Sequence, residues 1–327
     1  MTTTVQPPVA AGTSSSAAAG GRGPGPRRDR AITIAAARPW LLLTPALIVL
    51  AVLLLWPLIR VVLFSFQEYG LRQIVSGETN FTGLDNYIEA LSNPQLWSVV
   101  LPNTVIFAVA SVVCTVVLGT LVAILMTNLG VFWRTVVGSA IMVAWAMPAV
   151  TGTYVWVWIF DADNGIVNQL LMGAGLMDEP FNWFTNRWTF YLIVLINVVH
   201  HGFPFVAITV MAGLLGVSKE MLEAAALDGA GAVRRFFQII FPSLKQVFSV
   251  VIILSTIWDF KVFGQVYLMP GGSGTNRSVL NLGVWSYVES FGQNRYGFGS
   301  AIAVLLTLVL LVITIIYIRV LMKEDEL

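Results

Sequence analysis

The chain has 327 residues, of which 57% are hydrophobic and only 11% are charged, with a formal net charge of +1. An ordinary soluble domain has about 25% charged residues, so this composition excludes a soluble enzyme and indicates a polytopic membrane protein. The small net charge excludes a basic surface for nucleic acid, and the single cysteine excludes an intramolecular disulfide.

The N-terminal residues 1–38 are rich in Ala, Gly, Ser, Thr and Pro and contain five arginines. Because such a segment buries too little apolar surface to order itself, we predict a disordered cytoplasmic tail. The pair Arg27-Arg28 does not indicate an export signal, since Asp29-Arg30 follow it and the next apolar run lacks a small-x-small cleavage site. The first span is therefore expected to stay in the mature chain.

Six apolar segments follow the tail, each long enough to cross a bilayer as a helix. They are continuous runs without the alternation of barrel strands, and in lipid such runs satisfy their backbone groups only as helices. We predict an all-α fold with six transmembrane helices in a domain of residues 39–321. The spans are expected at about 41–66, 99–128, 135–160, 189–216, 247–269 and 299–321.

The distribution of Lys and Arg between the connections predicts the orientation. Twelve of these cations lie in the tail, the turn 129–134, the loop 217–246 and the C-terminal part of the chain, which includes the short terminus 322–327. The opposite side carries four: Arg72, Arg187, Arg277 and Arg295. Both termini are therefore expected on the cytoplasmic side.

The longest cytoplasmic connection is predicted to contain a short surface helix. Ser218 is suited to cap its N-terminus, with Glu220 in the first turn, and the centre is rich in alanine. Gly229 or Gly231 can supply the left-handed residue that ends the helix, and Pro242 is expected to start span 5. The alanines keep the helix slim enough to enter a groove on a partner; the alternative is an interfacial helix that only joins two spans.

This connection resembles the EAA loop of binding-protein-dependent ABC import permeases, whose pattern is E-A-A-x-x-D-G-A followed by Phe, Ile, Pro and Leu. The residues in register are Glu223, Ala224, Ala225, Asp228, Gly229, Ala230, Phe236, Ile239, Pro242 and Leu244. Gln246 stands where the pattern has a second proline, which predicts a less kinked start of span 5.

Further segments extend the resemblance over nearly all of the chain after the tail. They are Phe81–Tyr87, Asn103-Thr104, Met147–Trp156, Gly165–Asn168 and Trp258–Leu268 followed by Gly271-Gly272. Together they resemble the maltose and oligosaccharide permease family, in the branch whose shorter members have six spans.

The resemblance implies a permease subunit of an ATP-driven importer for a small oligosaccharide of the disaccharide class, working by alternating access in a bacterial or archaeal cell membrane. It implies as partners a second permease subunit, two ATP-binding subunits, an extracytoplasmic sugar-binding protein and membrane lipid. The residues expected to couple to the ATPase are Glu223, Ala224, Ala225, Asp228, Gly229 and Ala230.

No catalysis and no cofactor are expected on this chain. None of its four lysines follows a glycine, so the phosphate-binding pattern G-x-x-x-x-G-K-[ST] is absent, and ATP and Mg are expected on the partner ATPase subunits. A metal site is not expected either. His200 and His201 are adjacent, neighbouring helical residues diverge by about 100°, and no third ligand lies near them in sequence.

Span 5 carries two ionisable residues, Asp259 and Lys261. Such groups are costly in lipid and usually face a polar cavity or a partner, so one of them is expected on the substrate path. The alternative is that they pair with the second permease or lie nearer the interface. His200 occupies a position that the family often fills with tryptophan; the alternative for it is helix packing. The predicted path residues are Trp258, Asp259, Lys261, His200, Tyr154 and Trp145.

Two other functions stay open at this point. An importer for another solute, such as glycerol phosphate, would favour extra cations in the cavity, whereas the spans contain only Lys261 and Arg60. A proton-coupled carrier or a membrane-embedded enzyme would need several intramembrane carboxylates or histidines, and the spans offer only Asp259 and the histidine pair.

Overall fold

The computed structural model describes residues 42–325, which are predominantly helical, so the predicted all-α fold is confirmed. The chain divides into two units, residues 1–57 and 58–327. In the first unit, the described residues 42–57 begin the first helix and are exposed. The predicted tail 1–38 lies outside the described residues, as do residues 326 and 327.

In chain order the helices are α1 (Leu42–Ser65), α2 (Leu71–Ser76), α3 (Asp85–Ser92), α4 (Leu96–Thr127), α5 (Val131–Trp145), α6 (Ala149–Ile159), α7 (Ile166–Gly173), α8 (Arg187–Leu214), α9 (Lys219–Leu227), α10 (Ala232–Ser243), α11 (Lys245–Phe260), α12 (Gly264–Leu268), α13 (282–292) and α14 (Tyr296–Asp325). Two short antiparallel strands, β1 (Gln67–Glu68) and β2 (Asn80–Phe81), pair Gln67 with Phe81 and Glu68 with Asn80.

Within the described residues, four helices are long and apolar enough to cross a membrane singly: α1, α4, α8 and α14. Two more spans are possible if each of two bent helix pairs counts as one. These pairs are α5 with α6, bent by 91°, and α10 with α11, bent by 83°.

The predicted continuous span 135–160 is wrong in shape, because the structure breaks it between α5 and α6. The break falls at Ala146, Met147 and Pro148. A proline has no N–H to donate, and its ring disfavours the helical conformation at the residue before it. Met147-Pro148 therefore ends the first helix and starts a second one in a new direction.

The predicted bounds of span 5 also differ from the structure. Pro242 lies inside α10, and the spanning helix α11 begins at Lys245, after the 83° bend. At its other end α11 stops at Phe260, short of residue 269. The chain thus has a break between α11 and α12. This break is stabilised by the buried Asn281, whose Nδ2 donates to the carbonyl of Val262 at 2.7 Å.

Helices α4 and α8 pack closely because α4 presents small residues at every fourth position. Ser111, Thr115, Gly119 and Ala123 are all buried along this stripe. A Cβ on Gly119 would lie 2.5 Å from the Cβ of Val206, so only glycine fits there. Small residues let membrane helices approach closely and gain van der Waals contact.

A buried amide joins the other ends of these helices to the segment before α13. Asn103, on α4, donates through Nδ2 to the carbonyls of Ser278 at 2.9 Å and Leu280 at 2.8 Å. Its Oδ1 accepts from Nε of Arg187, on α8, at 2.6 Å. Next to it, the hydroxyl of Thr104 accepts from the N–H of Leu282 at 2.9 Å. The two polar residues thereby fix the segment that supplies Asn281.

We predict that Gly119→Ala destabilises the protein by about 1–3 kcal/mol, because the added methyl overpacks a rigid helix contact. The matched control is Gly130→Ala, since a Cβ there meets no atom within 4 Å. Thermal unfolding of the detergent-purified chain, followed by fluorescence, should show a lower midpoint for Gly119→Ala only. Equal midpoints for the two variants would contradict the packing described above.

Candidate functional site

A cavity of about 270 Å³ lies where α5, α8 and α11 meet. The break after α5 and the break after α11 position the walls of this cavity. Trp145 is the last residue of α5, and Asp259 lies in the last turn of α11. The lining residues are Trp145, Val198, His201, Gly202, Trp258, Asp259, Val262 and Gln265.

An aromatic row holds the two tryptophans of the cavity in place. The ring of Trp145 stacks on Phe205 of α8, with centroids 6.5 Å apart. Trp258 meets the same phenylalanine edge-on at 5.1 Å. One residue of α8 thus links the ends of α5 and α11 and fixes both indoles at the cavity.

Asp259 is the charged residue of the cavity lining. Its side chain is buried, with 8% of the residue exposed, and its Oδ2 has no hydrogen-bond partner among the described residues. A buried carboxylate without a partner is costly, so the position is suited to an acceptor whose donors come from a ligand.

The structure places three of the predicted path residues outside this cavity. His200 is exposed and meets Trp156 edge-on at 5.7 Å, and Tyr154 is 56% exposed. Lys261 is exposed at the end of α11 and does not line the cavity with Asp259. The proposed roles of these three residues in the path stay predictions.

Two polar lining residues, His201 and Gln265, were not among the predicted path residues. For His201 a signal was present, because Asn197 lies one helical turn before it and therefore on the same face. Asn197 is buried and donates to the hydroxyl of Thr153 at 3.1 Å. A polar residue at that spacing indicates that this face of α8 points into the protein. No comparable pattern marked Gln265.

The predicted surface helix of the 217–246 connection is present as α9. The Ser218 hydroxyl accepts from the N–H of Met221 at 3.3 Å, which caps the N-terminus. The same hydroxyl donates to Oε2 of Glu220 at 2.7 Å, and this hydrogen bond lowers the pKa of the exposed carboxyl below its usual value. None of the nine residues of α9 is buried in this chain.

A left-handed glycine ends α9, and it is Gly229, with φ of 79°, whereas Gly231 has φ of −65°. The N–H of Gly229 donates to the carbonyl of Ala226, and that of Ala230 donates to the carbonyl of Ala225. These two bonds form a Schellman motif, which fixes where the helix stops. Glu223, Ala224 and Asp228 stay exposed on the finished helix.

Comparison with protein families identifies the chain. Residues 115–323 match the family described as binding-protein-dependent transport system inner membrane component. The chain belongs to this family. The match covers the described residues from the middle of α4 into α14, and therefore both the cavity and the capped helix α9. The membrane location predicted from composition is confirmed by this assignment.

Relatives of this permease family align over most or all of the chain. The diacetylchitobiose uptake system permease protein DasB of Streptomyces coelicolor is 39% identical and aligns over 100% of this chain and 99% of its own. The arabinooligosaccharides transport system permease protein AraP of Bacillus subtilis is 30% identical, over 86% of this chain and 88% of its own.

A solved structure shares the fold of this family member. It is a bacterial ABC transporter involved in the import of the acidic polysaccharide alginate, with a TM-score of 0.74 over 89% of this chain and 98% of that one. The two sequences are 18% identical, so the match shows the fold alone. It confirms the predicted ABC importer permease fold.

Proposed function

We propose that this chain is a transmembrane permease subunit of an ATP-driven importer for a small oligosaccharide, of the disaccharide class. The observation that carries the proposal is Asp259, a buried carboxylate whose Oδ2 has no hydrogen-bond partner among the described residues, beside two tryptophans in a cavity at the ends of broken helices. Membrane carriers tolerate interrupted helices where they line such a substrate site.

The chemistry of the cavity suits a neutral sugar. A carboxylate accepts hydrogen bonds from sugar hydroxyls, and the faces of Trp145 and Trp258 offer apolar surface for the C–H faces of the rings. The names of the relatives support this class, since they refer to diacetylchitobiose and to arabinooligosaccharides. A phosphorylated solute is less suited, because no lysine or arginine of the described residues lines the cavity.

Transport is proposed to occur by alternating access, with ATP hydrolysed by other chains. The exposed helix α9 docks in a groove of an ATPase subunit, and Glu223 meets a basic residue there. The bent pair α10 and α11 then transmits the movement to the cavity. Both termini are cytoplasmic, ATP and Mg bind the two ATPase subunits, and a second permease and an extracytoplasmic sugar-binding protein complete the importer.

The substrate is tested most directly on the sugar-binding protein proposed to work with this permease. A thermal-shift screen of that protein against maltose, trehalose, cellobiose and chitobiose should show stabilisation by a disaccharide. Stabilisation by none of them, together with a response to glycerol phosphate, would overturn the proposed substrate class.

We predict that Asp259→Ala lowers the initial uptake rate at subsaturating sugar about tenfold, because a charge-assisted hydrogen bond contributes about 1.5–3 kcal/mol. Assembly should be unaffected, since Oδ2 has no partner among the described residues to lose. Asp163→Ala is the control, because it removes an exposed carboxylate that does not line the cavity. Wild-type uptake by Asp259→Ala would contradict the proposed path.

For coupling, we predict that Gly229→Val reduces co-purification of the ATPase and sugar uptake. A β-branched residue is disfavoured at positive φ by about 1–2 kcal/mol, so the end of α9 should shift. Gly231→Val adds the same volume at negative φ and serves as the control. Glu223→Lys should have the same effect as Gly229→Val through charge reversal alone. Wild-type values for both Gly229→Val and Glu223→Lys would favour the unattached interfacial helix.

We also predict that the purified chain hydrolyses no ATP by itself, because its sequence lacks a phosphate-binding loop. Hydrolysis should appear when a second permease and the nucleotide-binding subunits are added. If the isolated chain releases phosphate from ATP, and the specific activity does not fall on further purification, the proposal that other subunits hydrolyse the ATP is refuted.

A further inference from the structure

A second, smaller concave site lies nearer the N-terminus of α8 than the cavity, between residues 102–110 of α4 and residues 187–195 of α8. It is a groove of about 220 Å³ with almost wholly apolar walls, formed mainly by Ile106, Phe107, Ala110, Leu192 and Leu195. Arg187 and Trp188, at the start of α8, close one end of the groove.

Arg187 is held in place but is not neutralised. Its Nε donates to Oδ1 of Asn103 at 2.6 Å, and its guanidinium carbon lies 5.4 Å from the centre of the Trp188 ring. Among the described residues, its two terminal amino groups have no hydrogen-bond acceptor, and no acidic side chain lines the groove. The charge therefore faces the groove with its donors unused.

We propose that this groove binds a phospholipid, with the phosphate on the terminal amino groups of Arg187 and one acyl chain along the apolar walls. The planar guanidinium donates two parallel hydrogen bonds, which match the geometry of a phosphate. Arg187 and Trp188 open a membrane-spanning helix, where lipid phosphates lie and where tryptophan is enriched. On the proposed orientation, this is the outer leaflet.

The size of the groove favours an acyl chain over a helix of another subunit. A helix with its side chains is about 10 Å across, so even two of its turns occupy more than the groove's volume of about 220 Å³. Ile106 and Leu192 are 55% and 46% exposed, so the walls are open along the side that faces the surroundings.

The test is native mass spectrometry of the assembled importer, extracted from membranes and supplemented with one of three probes. These are dioleoylphosphatidylglycerol, dioleoylglycerol, which has the same chains without phosphate, and inorganic phosphate. We expect retention of the phosphatidylglycerol alone. Arg187→Gln should lower the retained lipid about fivefold, the effect of one cation near an anionic headgroup.

Ile106→Trp provides a second variant that leaves the Asn103 bond intact, because it fills the groove without changing Arg187. It should expel the lipid even if Arg187→Gln fails to fold, and thermal unfolding checks the folding of each variant. Two controls should retain lipid at the wild-type level. Val109→Trp adds the same side chain at a position of α4 that is as exposed as Ile106 but lies outside the groove, and Arg72→Gln removes a cation outside the groove.

Equal retention of dioleoylglycerol, or wild-type lipid retention by Ile106→Trp, would overturn the proposal. So would binding of inorganic phosphate without lipid, which would identify an anion site instead. A photoreactive residue at position 192 that crosslinks to the second permease, and not to lipid, would show that a protein occupies the groove.

Discussion

The arrangement of this permease depends on one constraint, which is that backbone N–H and C=O groups inside a bilayer need hydrogen-bond partners within the protein. A break in a spanning helix is therefore tolerated only where protein or an internal cavity covers it. The break after α11 satisfies this condition, because the buried Asn281 donates to the carbonyl of Val262. The break before α6 occurs at Pro148, which has no N–H to satisfy. Both breaks lie at the cavity that carries Asp259.

The bent pair α10 and α11 connects the cavity to the surface helix α9. Beyond the Schellman motif at Gly229, α10 runs to the bend at Leu244, which is buried against Val210 and Phe248. From this bend, α11 extends to Asp259 over about 22 Å, given a rise of about 1.5 Å per residue. In the proposed coupling, a rotation of α10 imposed by the ATPase moves Asp259 through α11. The close contact of α4 with α8 at Gly119 supplies a rigid frame for that movement.

Composition and apolar run length predicted the all-α membrane fold, and Ser218, Glu220 and the two following glycines, Gly229 and Gly231, predicted the capped surface helix. These features are local, so the sequence specifies them without tertiary information. The helix breaks were missed, although Met147-Pro148 carried a signal, because hydropathy measures only how apolar a segment is and not whether it is straight. The choice of His201 over His200 depends on the rotation of α8 against α4. That rotation is set by side-chain packing, here by the small residues of α4, and no single stretch of sequence contains it.

We infer that the helix breaks border a substrate path, and the accessibility of engineered thiols tests this claim. In the assembled importer carrying Cys114→Ala, Gln265→Cys places a thiol on the cavity, whereas Val113→Cys places one on an exposed face of α4. A membrane-impermeant charged thiol reagent should label Gln265→Cys, and the transported sugar with its binding protein should slow this labelling. Labelling of Gln265→Cys as slow as that of Val113→Cys, and unaffected by the sugar, would contradict the claim.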